Sequence, residues 1–142
     1  MQSVGLSEAV REIQDGASPY TLLAAFVRPF ELALTDEARF ALIETEPVLT
    51  KHERLNALVG ALAEYLAKRY RLDRVPAWVS GPARYLARPW HTSSMFIDWK
   101  RELLTDGMRE YLTFASPAEF SSRNIFTDEA PLRQVRSRLV QS

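Results

Sequence analysis

The chain has no cysteine, two histidines and five glycines among its 142 residues. Without a thiol, disulfides, thiolate catalysis and cysteine-ligated metals are excluded, and the absence fits a cytoplasmic protein. The histidines, His52 and His91, make no H-x-x-x-H or H-E-x-x-H pattern, so a metal site lacks converging ligands. So few glycines give no phosphate cradle. There is no Walker loop, no G-x-G-x-x-G and no G-x-S-x-G. Long hydrophobic runs are missing as well. The longest, Leu22–Val27 and Ala57–Ala63, fall far short of the ~20 residues that a bilayer-spanning helix needs. A secretory leader is not expected, because Glu8, Arg11, Glu12 and Asp15 put charge into the first turns. Strand-like alternation of useful length, internal repeats, low-complexity linkers and sustained heptads are absent too.

Net charge is also lacking: acids and bases number 18 each. The balance hides a division. Residues 1–50 hold eight acids against three bases, and residues 51–90 hold eight bases against three acids. Mutual attraction of two solvated segments explains this, and so does a basic face for an acidic partner or a nucleic acid. With 46% apolar and 25% charged residues, the composition is that of an ordinary globular protein.

What is present is helical periodicity, strongest from Thr50 to Arg71. Leu55, Leu58, Val59, Leu62 and Leu66 share one helix face. Thr50 and Glu53 read as a T-x-x-E capping box, and Lys68, Arg69 and Arg71 crowd the last turn, where cations favour the helix dipole. Upstream, Leu6, Val10 and Ile13 predict a short helix capped by Ser3 or Ser7 and stopped at Gly16. Ser18-Pro19 opens a second helix. Pro29 is expected to kink or end it near Val27, with Phe30, Ala33 and Leu34 continuing beyond. Thr35-Asp36-Glu37 caps a third helix with Phe40 and Ile43 on its face, and Glu46-Pro47 breaks it.

Downstream the pattern shortens. Val75–Val79 is apolar and interrupted by proline, Ser80-Gly81-Pro82 is a turn, and Pro82 starts a turn or two of helix that Arg88-Pro89-Trp90 stops. A fifth helix is predicted over Met95–Leu104, with the pattern interrupted at Gly107 and resumed by Met108, Tyr111, Leu112 and Phe114. Ser116-Pro117-Ala118-Glu119 is a second capping box. Arg123–Phe126 reads as a loop. Thr127-Asp128-Glu129 opens a last helix with Leu132, Val135 and Leu139 on one face. The expected fold is all-α: one compact domain spanning 1–142, a bundle of six or seven mostly short helices around a long central helix at about 51–71. Acidic helices fill residues 1–49.

Catalytic signals are thin. Asp98 and Glu102 stand at i, i+4, but Lys100 and Arg101 lie between them, which is the mark of a solvated face. An enzyme would need a polar pocket such as His91 with Asp98 and Glu102, so no catalytic residues, cofactor or metal are expected. The aromatics Trp78, Tyr85, Trp90, Phe96 and Trp99 cluster. Most suit a core, yet tryptophan with arginine is also the composition of interface hot spots and of nucleic-acid stacking surfaces. Arg84, Arg88, Trp90 and Arg123 are the candidates for such a patch.

Taken in order, the Ala/Leu spacing of Leu58–Leu66, PAW at Pro76–Trp78, RYLARPW at Arg84–Trp90 and SPAEFSSRNIF at Ser116–Phe126 resemble a segment of actinobacterial regulators. That segment often follows a helix-turn-helix domain and is often encoded beside a nucleotidyltransferase-like toxin. The resemblance covers roughly residues 56–135. It implies an antitoxin that binds its cognate toxin and blocks its active site or nucleotide pocket, with Arg84, Arg88, Trp90, Arg123 and Asn124 as contacts or as their scaffold. No helix-turn-helix pattern precedes the segment here, so protein binding is expected ahead of transcription regulation. DNA binding through the basic 51–90 segment is the alternative. A homodimer stays open, and no membrane partner is expected.

Overall fold

Residues 5–92 and 105–127 are described by a computed structural model. Six α-helices run through them, with one minimal strand pair, so the chain is mostly helical, as the periodicity predicts. The expected helices over Met95–Leu104 and after Thr127, with Phe96, Trp99, Leu132, Val135 and Leu139, lie outside the described residues.

The N-terminal helices follow their sequence signals closely. α1 (Leu6–Gln14) buries Leu6, Ala9, Val10 and Ile13. Its N-cap is Gly5 and not Ser7. Ser3 is outside the described residues. Gly16 ends it at φ +114°, with its N–H on Ile13 O, a left-handed turn that glycine adopts without penalty. α2 (Pro19–Leu32) starts where expected, Ser18 Oγ accepting from the Thr21 N–H. It does not end near Val27 but runs through Pro29 to Leu32. Phe26, Val27 and Phe30 are all buried on one side, and that burial offsets the hydrogen bond that proline deletes. Arg39 then closes the end, donating from Nε to Phe30 O and from Nη2 to Glu31 O. Leu34 lies beyond the helix and is almost fully exposed. α3 (Asp36–Ile43) is capped by Thr35, as predicted.

α4 (Glu53–Arg69) is the hub. Its leucine stripe is buried, and so are Ala57, Gly60, Ala61 and Ala63 between the leucines. One apolar stripe thus understates it: the small residues let neighbours approach the other faces. The capping box is not formed, because the N-cap is His52. Thr50 lies two residues upstream, and its Oγ1 accepts from the His52 N–H. Asn56, facing back from the helix, accepts from the Thr50 N–H at 2.8 Å and donates to Thr50 O at 3.0 Å.

After α4 the chain folds back over it in two 3₁₀ turns, Ala77–Ser80 and Pro82–Arg84. Strand β1 (Trp90–His91) follows, then α5 (Asp106–Ala115), α6 (Ala118–Ser121) and strand β2 (Ile125–Phe126). β1 and β2 pair in parallel with Trp90 opposite Ile125. The expected loop at Arg123–Phe126 thus contains a strand, two residues long and too short to alternate visibly. Gly107 interrupts nothing; it sits in the first turn of α5, which Thr105 caps through Met108 N. The second capping box is also unformed. Ser116 ends α5, its hydroxyl donating to Leu112 O and accepting from the Thr127 N–H at 2.8 Å.

Candidate functional site

The residues singled out by the motifs converge on one side of α4. Arg84 lies at the end of the second 3₁₀ turn with its side chain 1% exposed. Its Nη2 donates to Pro47 O at 2.7 Å and to Glu46 Oε2 at 3.2 Å, and its Nη1 to Asn56 O at 3.3 Å. The guanidinium carbon stands 4.9 Å from the Trp78 ring centroid. Trp78 in turn donates from Nε1 to Ile43 O. One arginine therefore fastens the loop before α4, the first turn of α4 and the 3₁₀ pair. Burial pulls its pKa below the ordinary guanidinium value, and Glu46 opposes the shift. The side chain remains a cation.

Arg123 does the same about one turn further along α4. Its Nη1 donates to Glu64 Oε1 and to Glu119 O, and its Nη2 to Val79 O. Its guanidinium stacks 4.6 Å from the Tyr85 ring centroid. Its carboxylate partner is Glu64, on α4; Glu119, one turn earlier, contributes only its carbonyl. Lys68 holds the other oxygen of Glu64 at 2.8 Å. Burial alone would raise the Glu64 pKa, but the hydrogen bonds from Lys68 and Arg123 overcome it and hold the carboxyl below its usual range. The same hydrogen bond holds Lys68 above its usual value.

Trp90 is fully buried, with the Arg54 guanidinium 5.4 Å from its ring centroid. Asn124 stands in the left-handed region at φ +66°, a conformation asparagine tolerates better than most residues. From there its Nδ2 donates to Leu86 O at 2.8 Å and its carbonyl accepts from the Trp90 N–H at 2.8 Å. Leu86 N–H reaches Arg123 O at 3.2 Å, so RYLARPW and SRNIF are stitched together. Arg84, Trp90 and Arg123 are buried and Asn124 is partly buried, and all four serve as scaffold within the chain. Arg88 alone among the five is exposed. Arg84 Nε, Trp90 Nε1 and Arg123 Nε have no acceptor among the described residues. Each such buried donor costs on the order of 1–3 kcal/mol, partly offset by the ring contacts.

Half of the eight bases in the basic segment are engaged within the chain. Arg54, Lys68, Arg74 and Arg84 are held by Trp90, Glu64, Phe40 and Glu46 respectively. His91 accepts or donates at Nε2 to Thr113 Oγ1 at 3.0 Å and stacks on Phe126. Asp98 and Glu102, its proposed companions, lie outside the described residues. Among the described residues no three acidic or histidine side chains are grouped to hold a metal, and no helix is long and apolar enough to cross a membrane.

Sequence reasoning missed Glu46, Asn56, Gly60 and Glu64, the surroundings of the two arginines. A glycine and an asparagine inside an otherwise apolar helix were the available signals. It also missed how little of α5 is covered. Only Leu112 is buried there, while Met108, Tyr111 and Phe114 are 46%, 57% and 84% exposed. Tyr111, Phe114, Glu110 and Ala115 line a shallow open groove. Comparison with protein-family models, curated proteins and solved structures gives no match.

Proposed function

We propose that the chain is a protein-binding module, an antitoxin that neutralises a nucleotidyltransferase-like toxin by direct binding. The observation that carries the protein-binding reading is the outer face of α5. Met108, Tyr111 and Phe114 lie on successive turns and stand in water. Aromatic surface left wet costs free energy that a partner's apolar surface recovers, and aromatics and methionine are enriched in the centres of protein interfaces. The toxin as partner is supported by the motif resemblance. The motifs that carry it build the framework on which α5 rides, through Ser116–Thr127 and His91–Thr113.

The test is co-expression with the product of the adjacent gene, followed by size-exclusion chromatography and a growth assay. A stable complex that relieves toxicity is expected. Phe114→Glu should weaken that complex while changing stability by no more than ~0.5 kcal/mol, as for other exposed positions. No complex and no rescue would refute the reading.

A further inference from the structure

The apolar side of α5 runs from Met108 through Tyr111 to Phe114, about 9 Å along the helix axis. Its groove is lined by Tyr111, Phe114, Ala115 and Glu110. The two acids of α5 differ. Asp106 is held by Arg109, whereas Glu110 is exposed and makes no ion pair among the described residues. The groove is thus an apolar strip with one free carboxylate at its edge.

The chain leaves its described part beside this strip. The Thr127 N–H donates to Ser116 Oγ at 2.8 Å, and Ser116 is the C-cap of α5. Residues 128–142 therefore start at the Phe114 end of the face. Their sequence complements it. Pro131 suits the first turn of a helix, and Leu132, Val135 and Leu139 fall at i, i+3 and i+7 on one side. On a helix that stripe measures about 10 Å, the length of the strip on α5. Arg133, Arg136 and Arg138 accompany it, with no acid after Glu129. Arg136, four residues after Leu132, borders the stripe. Residues 128–131 separate Thr127 from Leu132, a length that commonly turns one helix back on another.

We infer that residues 128–142 dock on the α5 face as a short antiparallel helix, with Leu132 nearest Phe114, Val135 nearest Tyr111, Leu139 nearest Met108 and Arg136 toward Glu110. A second copy of the chain is the weaker occupant. The segment is already tethered at the face, where a short link gives an effective concentration of mM order. A second α5 also brings another Glu110 to the groove, where a cation is wanted. The inference goes beyond the protein-binding reading: a partner taking this face displaces the segment.

The chain has no cysteine, so introduced thiols are its only ones. Two double variants of the full chain, M108C/L139C and M108C/L132C, are oxidised at concentrations where size-exclusion chromatography shows a monomer. The bridges are mapped by peptide mass spectrometry, with circular dichroism as the folding control. M108C/L139C should close an intramolecular bridge at least ~10-fold faster than M108C/L132C. Equal rates, or no bridge in either, overturn the inference; bridges between molecules only overturn it in favour of a second copy. In a second measurement a maleimide labels the M108C single variant. Adding L132E and L139E should raise the labelling rate ~5-fold or more, and an unchanged rate overturns the inference. No partner enters either measurement, so failure here leaves the protein-binding reading standing.

Discussion

Replacing Arg123 with alanine removes a buried cation and leaves its partners behind. Three acceptors lose their donor: Glu64 Oε1 at 2.5 Å, Val79 O at 2.7 Å and Glu119 O at 2.8 Å. Tyr85 loses the group stacked on its face. Hydrogen bonds to charged groups contribute about 1.5–3 kcal/mol each, but they share one side chain and do not add. Breaking a buried pair by deleting one partner costs about 3–5 kcal/mol. Glu64 can turn partly to water, since 19% of its side chain is exposed, and Lys68 still holds it, so the lower half of that range applies. The expected loss is ~3–4 kcal/mol, a large share of the ~5–15 kcal/mol available to a domain. Urea denaturation followed by tryptophan fluorescence measures it, with the midpoint falling and the slope unchanged. Arg123→Lys should lose most of the same stability, because one ammonium cannot reproduce a fork that meets three acceptors. A cost below ~1 kcal/mol for the alanine variant would refute the view that Arg123 clamps the C-terminal motif to α4.

Gly60→Ala should destabilise by ~1 kcal/mol or more, against the ~1 kcal/mol gain usual for this change inside a helix. The added Cβ would stand 2.9 Å from Arg84 Cβ, whose guanidinium is pinned at Pro47 O and cannot swing aside. Acid stability should depend on Glu64. Its folded pKa is depressed, so its contribution is complete above the ordinary value of 4.5 and disappears as pH falls through the lower folded value. Glu64→Gln should flatten that part of a stability-against-pH curve measured by urea denaturation.

Local signals were the ones that could be read from the chain. Ser18, Thr35 and Gly16 act on residues within a turn of themselves, so spacing alone places α1, α2 and α3. The heart of α4 was legible because five leucines and valines share a period. Its start was not: the T-x-x-E pattern fits, but Asn56 competes for Thr50 and moves the cap to His52. Pro29 misleads in the other direction, since burial of its neighbours outweighs its propensity. The surroundings of the candidate residues were illegible for a different reason. An arginine near tryptophan reads as surface chemistry until its acceptors are known, and two of the three acceptors of Arg123 lie 44 and 59 residues away. Nothing local in the sequence reports such pairings, and strands of two residues leave no pattern at all.

The enclosure of α4 has a consequence for the order of synthesis. Tyr65 packs edge-on against Phe120, and Glu64 waits for Arg123, so one flank of the helix is completed by residues translated much later. At 5–20 residues per second, about 3–11 s separate the end of α4 from the arrival of β2. During that interval the nascent chain carries an apolar helix flank and a carboxylate without its cation. A premature stop between these points would release a chain with its hub half dressed, a substrate for chaperones and proteases and not a smaller folded protein.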